Sequence, residues 1–427
     1  MRMDLSRTAS PACGLKACRS LMLAVFFLAA PVFAGFTDSP ELKQLSEILP
    51  GDYHRSGYYR INDVSVNNDN YLFTIESDYG NFRIESVCLT LKYLKETETV
   101  SQVLNQISDS VDPARVDLKS QLRIRAESAI DILASPLGTA GNLAGQLARN
   151  LGDTLAGNSP YIIYGDSDEY INTEDPNLGI HKRNIAHQLG LDVYSSNAVV
   201  QHLLSQLAGE RSAGNISSGS VLINIDNSYE RKVADGRLDR EINSVIRIHT
   251  REDLYSYNES LLDSIGLPED IAREFLAHPA YSPSLQTTII KYMDYLYAID
   301  NYRDYLALSL LATDEVTAHA FARILKMIAW YSDNIEAISR IKVIGKTVSG
   351  LTENNEQVIF YPDDLFYIDE SRQQLLELIN ERARVNGYKK VILVSYGTLS
   401  QMSRTRMLES NIDYMEEFLF KRGSLRN

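Results

Sequence analysis

Three of the chain's seven histidines lie in one stretch, Gly179 to Leu207, GIHKRNIAHQLGLDVYSSNAVVQHLLSQL. Imidazole titrates near neutral pH and often ligates metals, so this stretch is the first place to look for acid–base or metal chemistry. The spacing argues against a metal. His181 and His187 are six apart, on different faces of one helix, and no acidic cluster joins them. His249, His278 and His319 are isolated in the sequence. Neither a metal nor a cofactor is expected. The candidate binding residues here are His187, Arg183 one turn before it, and Tyr194 in the turn that follows. A second group lies at Ser395-Tyr396-Gly397-Thr398-Leu399-Ser400. A strand entering a helix through Ser, Gly and Thr leaves backbone N–H groups able to hold an anion. Ser395 and Thr398 are the candidates there, although ordinary capping by Thr398 or Ser400 needs the same residues. A hydrolase assembled from His187 and this turn requires a deep pocket joining the two. Ser217-Ser218-Gly219-Ser220 lacks the Gly-x-Ser-x-Gly pattern of a nucleophile elbow.

These residues need elements to position them. Ile180, Ile185 and Leu189 share one helical face, and Gly190 follows where a helix ends left-handed. Asp192 to Asn197 is a polar turn in which Ser196 or Asn197 caps the next helix. In that helix Val199, Leu203 and Leu207 recur at i, i+4, i+8, with Val200 and Leu204 beside them. The unit reads as a helical corner, and its turn mainly as a capping device. Upstream, Gly51 to Cys88 reads as a three-stranded meander, punctuated by Asn67-Asn68-Asp69-Asn70 and Asp78-Tyr79-Gly80-Asn81 and covered by a helix from about Leu89 to Ile107. Downstream, Asp226 to about Ala337 is helical. Thr250 and Ser282 are caps, Pro268 and Pro283 mark helix starts, and Leu285, Ile289, Tyr292, Met293 and Leu296 form a core stripe. The period then changes. Ile341–Val348 and Gln357–Tyr361 read as strands, Ser371–Val385 as a helix, and Lys389–Val394 as a buried strand.

Residues 1–34 have the layout of a secretory signal, with Arg2, Arg7, Lys16 and Arg19 before the apolar run Leu21–Phe33 and Val32-Phe33-Ala34 as a cleavage site. That run is short for a membrane span. The expected mature protein is soluble and periplasmic. The net charge is −14, and because the leader is itself basic the remainder is more acidic still. Such a chain does not attract nucleic acid or anionic lipid by net charge, so no nucleic-acid partner is expected, though a local basic patch is compatible with it. Beyond Cys13 and Cys18 in the leader, Cys88 stands alone. It is expected as a small buried apolar residue, with a catalytic or intermolecular thiol as the alternative.

Between the meander and the corner, Ser135 to Gly157 sets a seam of small residues beside Leu143, Leu147, Leu151 and Leu155. Gly141-x-x-x-Gly145 is a membrane packing spacing, which makes Leu143, Leu147 and Leu151 candidates for peripheral membrane contact; a tightly packed soluble helix or a hinge is the plainer reading. Asp166 and Asp168 lie in an acidic loop that lacks the glycine and terminal glutamate of an EF-hand.

Two resemblances carry further. Ser135-Pro136-Leu137-Gly138-Thr139, Leu191 to Asn197, and Phe275-Leu276-Ala277-His278-Pro279-Ala280-Tyr281-Ser282-Pro283 together resemble a group of exported bacterial proteins of unassigned function. Val391 to Glu416 looks like the last strand–helix–strand of restriction-endonuclease-like domains. Those domains hold a metal with Asp and Asp/Glu-x-Lys, and no Asp/Glu-x-Lys occurs between Ile341 and Asn427. The expected fold is α+β and predominantly helical. Its parts are a leader (1–34), a small β-meander plus helix (35–110), a helical body (111–337) and a C-terminal α/β unit (338–427). The expected function is non-enzymatic binding or scaffolding in the cell envelope, toward an envelope protein or ligand. A hydrolase or a peripherally membrane-associating protein are the alternatives.

Overall fold

Alternating apolar residues and two tight turns make the first sheet. In the computed structural model β1 (Tyr59–Asn67), β2 (Asn70–Ser77) and β3 (Gly80–Glu85) form an antiparallel meander. Asn67 pairs with Asn70 and Ser77 with Gly80, so both connections are two-residue turns, and Asn68 takes the positive φ such a turn demands. A short helix α1 (Leu45–Ile48) precedes the sheet and α2 (Val87–Ser108) follows it. The structure describes residues 38–40, 42–108, 177–214, 237–344 and 347–418. The leader, the Ser135–Gly157 segment with Leu143, Leu147 and Leu151, the acidic loop of Asp166 and Asp168, and the Gly/Ser-rich run after Gly214 lie outside these residues. All described residues belong to one unit that begins at Asp38.

The helical corner is α3 (Leu178–Leu189) and α4 (Ala198–Ser212). Gly190 has φ 63° at the end of α3, and the Asn197 side chain accepts from the Val199 N–H at the start of α4. Val199, Val200, Leu203, Leu204 and Leu207 are all buried. Ile185 and Leu189 are buried as their spacing predicts, but Ile180 is 48% exposed, because five residues carry it about 140° round the helix from Ile185. The helical body comprises α5 (Arg237–Ile248), α6 (Arg251–Ser264), α7 (Glu269–Leu276), α8 (Pro283–Tyr295), α9 (Arg303–Ser309) and α10 (Glu315–Asn334). Thr250 caps α6 and Ser282 caps α8, with Pro283 at its first turn.

The last part is a mixed sheet flanked by helices. The run Ile341–Val348, read as one strand, is a hairpin of β4 (Ile338–Ile344) and β5 (Thr347–Thr352), with Ile344 paired to Thr347. A glycine-containing dipeptide between two β-rich runs is a hairpin signal, and Gly345-Lys346 supplies it. β6 (Glu356–Tyr361), β7 (Leu365–Phe366), α11 (Glu370–Asn386), β8 (Lys390–Ser395), β9 (Thr398–Leu399), α12 (Gln401–Glu409) and β10 (Ile412–Met415) complete the chain. The five-stranded order is β10-β8-β6-β5-β4; β4, β5 and β6 are antiparallel in turn, while β6, β8 and β10 run parallel. One sheet face packs through Ile341, Val348, Val358, Phe360 and Val394 into the same core as the helical body. The other packs through Ile359 and Leu393 against Ile379 of α11 and Met407 of α12. A further core joins the meander, α2, α3 and α4.

Candidate functional site

Five helices turn one face each toward a common cavity. The spacing is helical in every case: Cys88, Lys92 and Lys95 on α2; Arg183 and His187 on α3; Asn243 and Arg247 on α5; Leu285 and Thr288 on α8; His319, Arg323 and Lys326 on α10. The Gly190–Val193 turn, Tyr396 just past β8, and Phe418 close the walls. The cavity measures about 660 Å³, within the usual range for small-molecule sites. Tyr396, one of its lining residues, follows the carboxyl end of the parallel strand β8, the end at which α/β sheets commonly bind ligands. Its lining carries six lysines and arginines, with Glu96 and Asp192 as the only carboxylates. In a chain of charge −14 this is a local inversion of sign.

Most of these cations are already engaged. Lys92 Nζ lies 3.1 Å from Glu315 and Lys326 Nζ 3.1 Å from Asp239, while Lys95 donates to the Gly190 carbonyl. Arg323 differs. It is only 4% exposed, and its Nε, Nη1 and Nη2 have no hydrogen-bond partner among the described residues. The nearest carboxylate oxygen, Asp364 Oδ1, is 4.0 Å from Nη1, too far for a hydrogen bond. The Tyr396 ring lies 4.9 Å from the guanidinium carbon. A desolvated cation–π contact contributes about 2 kcal/mol, while an uncompensated buried charge costs several. The guanidinium thus lies buried at the edge of the cavity with its donors unspent.

Asp364 is the counter-charge and also a structural cap. It is 2% exposed. Its Oδ2 accepts from the Val87 N–H at 2.8 Å and the Tyr71 N–H at 3.2 Å, fastening the start of α2 and the meander to the C-terminal unit. Its Oδ1 has no hydrogen-bond partner. Burial pushes the Asp364 carboxyl up to about 6, against the pull of Arg323, and burial likewise lifts Asp363 to about 6. A carboxyl whose folded value exceeds its unfolded value binds protons more tightly when folded. Its contribution to stability is therefore present in acid and is lost as pH rises from about 4 to 6. Urea denaturation of the wild type should show falling stability across that window, on the order of 3 kcal/mol per fully buried carboxyl. Asp363→Asn should flatten the slope, and an unchanged slope would contradict the assignment.

The wall of the cavity is a second polar network. Glu96 is buried and accepts from Ser195 Oγ at 2.7 Å and Asn197 Nδ2 at 3.1 Å. Ser196 Oγ lies 2.8 Å from Glu315 Oε2. Asp192 Oδ1 accepts from the Tyr194 N–H and from Ser284 Oγ at 2.5 Å. The Asp192–Asn197 turn therefore caps α4 and also docks onto α2, α8 and α10. Burial raises Glu315, but Lys92 and His319 outweigh it and hold the carboxyl well below its usual range. Burial holds His319 below its ordinary value, so it is neutral at pH 7. Asn197→Ala removes a helix cap and one donor to Glu96. It should cost about 2 kcal/mol by urea denaturation, and a loss below half of that would show the network to be dispensable.

Family models, curated proteins and solved structures give no match to this chain.

The site therefore rests on its own geometry. His187 and Arg183 border the cavity together, His187 exposed and Arg183 buried. Tyr396, from the Ser395–Ser400 turn, borders it too. Ser395 itself is fully buried with its hydroxyl unpartnered. Thr398 lines a separate cavity of about 300 Å³ on the other side of Tyr396. Tyr194 is a core residue, 1% exposed. The end-of-strand turn is capped by Ser400, whose side chain accepts from Ser403 N–H. Among the described residues no three His, Cys, Asp or Glu side chains converge as a metal set, and no helix is long and apolar enough to cross a membrane. Sequence reasoning missed Arg323, Lys92 and Lys326. A signal existed: His319, Arg323 and Lys326 form a stripe at i, i+4, i+7 along an otherwise apolar helix, and cations on an apolar face need a reason.

Proposed function

We propose that the protein is an exported, non-enzymatic binding protein whose ligand is a small anion held in the Arg323 cavity. The observation that carries this is the buried Arg323 guanidinium, with three nitrogens lacking hydrogen-bond partners among the described residues, at the edge of a cavity richer in bases than in carboxylates. A planar fork of donors suits carboxylate, sulfate or phosphate oxygens. The basic residues followed by an apolar run at 1–34 support export. The test is calorimetry at low salt with sulfate, phosphate and small mono-, di- and tricarboxylates. At least one should bind in a saturable, one-to-one manner. Absence of heat and of any melting shift with the whole set would end the reading.

A second reading has one observation behind it. His187 and Tyr396 border the same cavity, which is the juxtaposition a hydrolase built from those two regions requires. Carboxyl-ester and phosphoester turnover that disappears in His187→Ala would favour it. The complete burial of Ser395 weighs against a serine nucleophile at that turn.

A further inference from the structure

Cys88 was expected to be a sealed core residue. It is instead partly exposed and borders the Arg323 cavity. It lies in the first turn of α2, one turn before Lys92 on the same face. Cys88 and Arg323 border the same cavity. Burial tends to lower Arg323, but Cys88, then Tyr396, then Asp364 outweigh it and hold the guanidinium above its ordinary value.

We propose that Cys88 is a modification site, a thiol that exchanges with small anionic disulfides drawn into this cavity. The proposal rests on the anion-binding reading above and adds the chemistry that follows binding. A positive cleft with low-dielectric walls raises the local concentration of an anion by about 10- to 1000-fold. Arg323 holds an acidic group of the disulfide, and the cavity leaves the Cys88 sulfur open to the bound molecule. Cys88 loses its proton to solvent, and the thiolate attacks one sulfur of the disulfide. A new S–S bond forms to Cys88, the old S–S bond breaks, and the second sulfur leaves as a thiolate with the electron pair. Cys88 is oxidised and the disulfide is reduced. The only other cysteines are Cys13 and Cys18 in the leader, so a mature chain has no resolving thiol and the product is a stable mixed disulfide, reversed by an external thiol.

The test uses a full chain carrying Cys13→Ser and Cys18→Ser, so that Cys88 is the sole thiol. Its rates with dithiobis(nitrobenzoate), a dianionic disulfide, and dithiodipyridine, an uncharged one, are measured folded and in urea. The unfolded chain gives the intrinsic ratio of the two rates. The folded ratio should exceed it by at least about tenfold, decline with added salt, and return to the unfolded value in Arg323→Gln. Arg247→Gln, at the exposed rim, should lower the ratio about twofold through the same field, which keeps the test alive if the Arg323 variant fails to fold. A folded ratio equal to the ratio in urea, or a folded thiol inert to both reagents, overturns the proposal. Sulfate calorimetry on Cys88→Ser separates the two readings. Sulfate binding with a flat rate ratio removes the thiol chemistry alone, and loss of both removes the anion site as well.

Discussion

Replacing Arg323 with Met should abolish anion binding and, at the same time, make the protein less stable. The two effects share one cause. The guanidinium is buried with no hydrogen-bond partner among the described residues, at 4.0 Å from its nearest carboxylate oxygen. Asp364 is buried beside it, and removing one partner of a buried pair leaves the other charge uncompensated at a cost of about 3–5 kcal/mol. Losing the buried cation from a ligand contact costs about 2–5 kcal/mol, so affinity should fall at least about 30-fold. Arg323→Lys keeps the charge without the fork and should bind in between. Calorimetry with sulfate and a urea titration on the same samples read both effects. Unchanged affinity, or a variant as stable as wild type, would refute the assignment. A pH series adds a signature. Asp364, pushed up to about 6 by burial, takes up a proton on acidification and stops competing for Arg323. Sulfate itself does not titrate in that range, so its affinity should rise from pH 7.5 to pH 5 in the wild type. No such rise is expected in Arg323→Met.

The largest loss of stability is expected at Gly397. A Cβ there would sit 1.8 Å from the Asp364 carbonyl oxygen and 2.3 Å from its carbon. Both are backbone atoms, so no flexible side chain can swing aside. The close approach is held from several sides. Thr398 N–H donates to the Asp364 carbonyl at 2.9 Å, and Glu417 N–H donates to the Gly397 carbonyl at 2.8 Å. Overpacking of an ordinary core costs about 1–3 kcal/mol, and backbone against backbone should exceed that. Gly397→Ala should therefore lose at least about 3 kcal/mol or fail to accumulate as folded protein. Gly57→Ala, with nothing within 4 Å of the new methyl, is the control. If the two variants denature at the same urea concentration, the β7–β9 junction is not the constraint described.

Elements whose periodicity answers to one local rule were legible in the sequence. The meander turns, the Gly190 and Asn197 caps, the Leu285–Leu296 stripe and the strand 390–395 all follow from spacing and capping chemistry. The β4–β5 hairpin was missed because Val343 to Val348 looks apolar throughout unless Gly345-Lys346 is weighted as a turn. The site was mostly hidden for a different reason. His187 and Arg183 were visible as a pair on one helix, but what gives the cavity its character is Arg323, brought beside Cys88 and Tyr396 by helix packing rather than by sequence proximity. Ser395 and Thr398 looked like a pair and are separated: Ser395 is buried at the end of β8, and Thr398 lines a second cavity, with Tyr396 bordering both.

Asp364 has a consequence for the order of events during synthesis. Its carboxylate accepts from Val87 and Tyr71, 277 and 293 residues earlier, and its own N–H donates to Asn70 Oδ1. The first strands and the first turn of α2 thus wait for a residue near the other end of the chain. Closing so long a loop is entropically slow, and topologies dominated by such contacts fold late. A nascent chain that stops short of Asp364 lacks the acceptor for the Val87 and Tyr71 N–H groups, and the start of α2 keeps only its local cap, Ser86 Oγ accepting from the Leu89 N–H. The molecule is a clasp whose two halves leave the ribosome far apart in time.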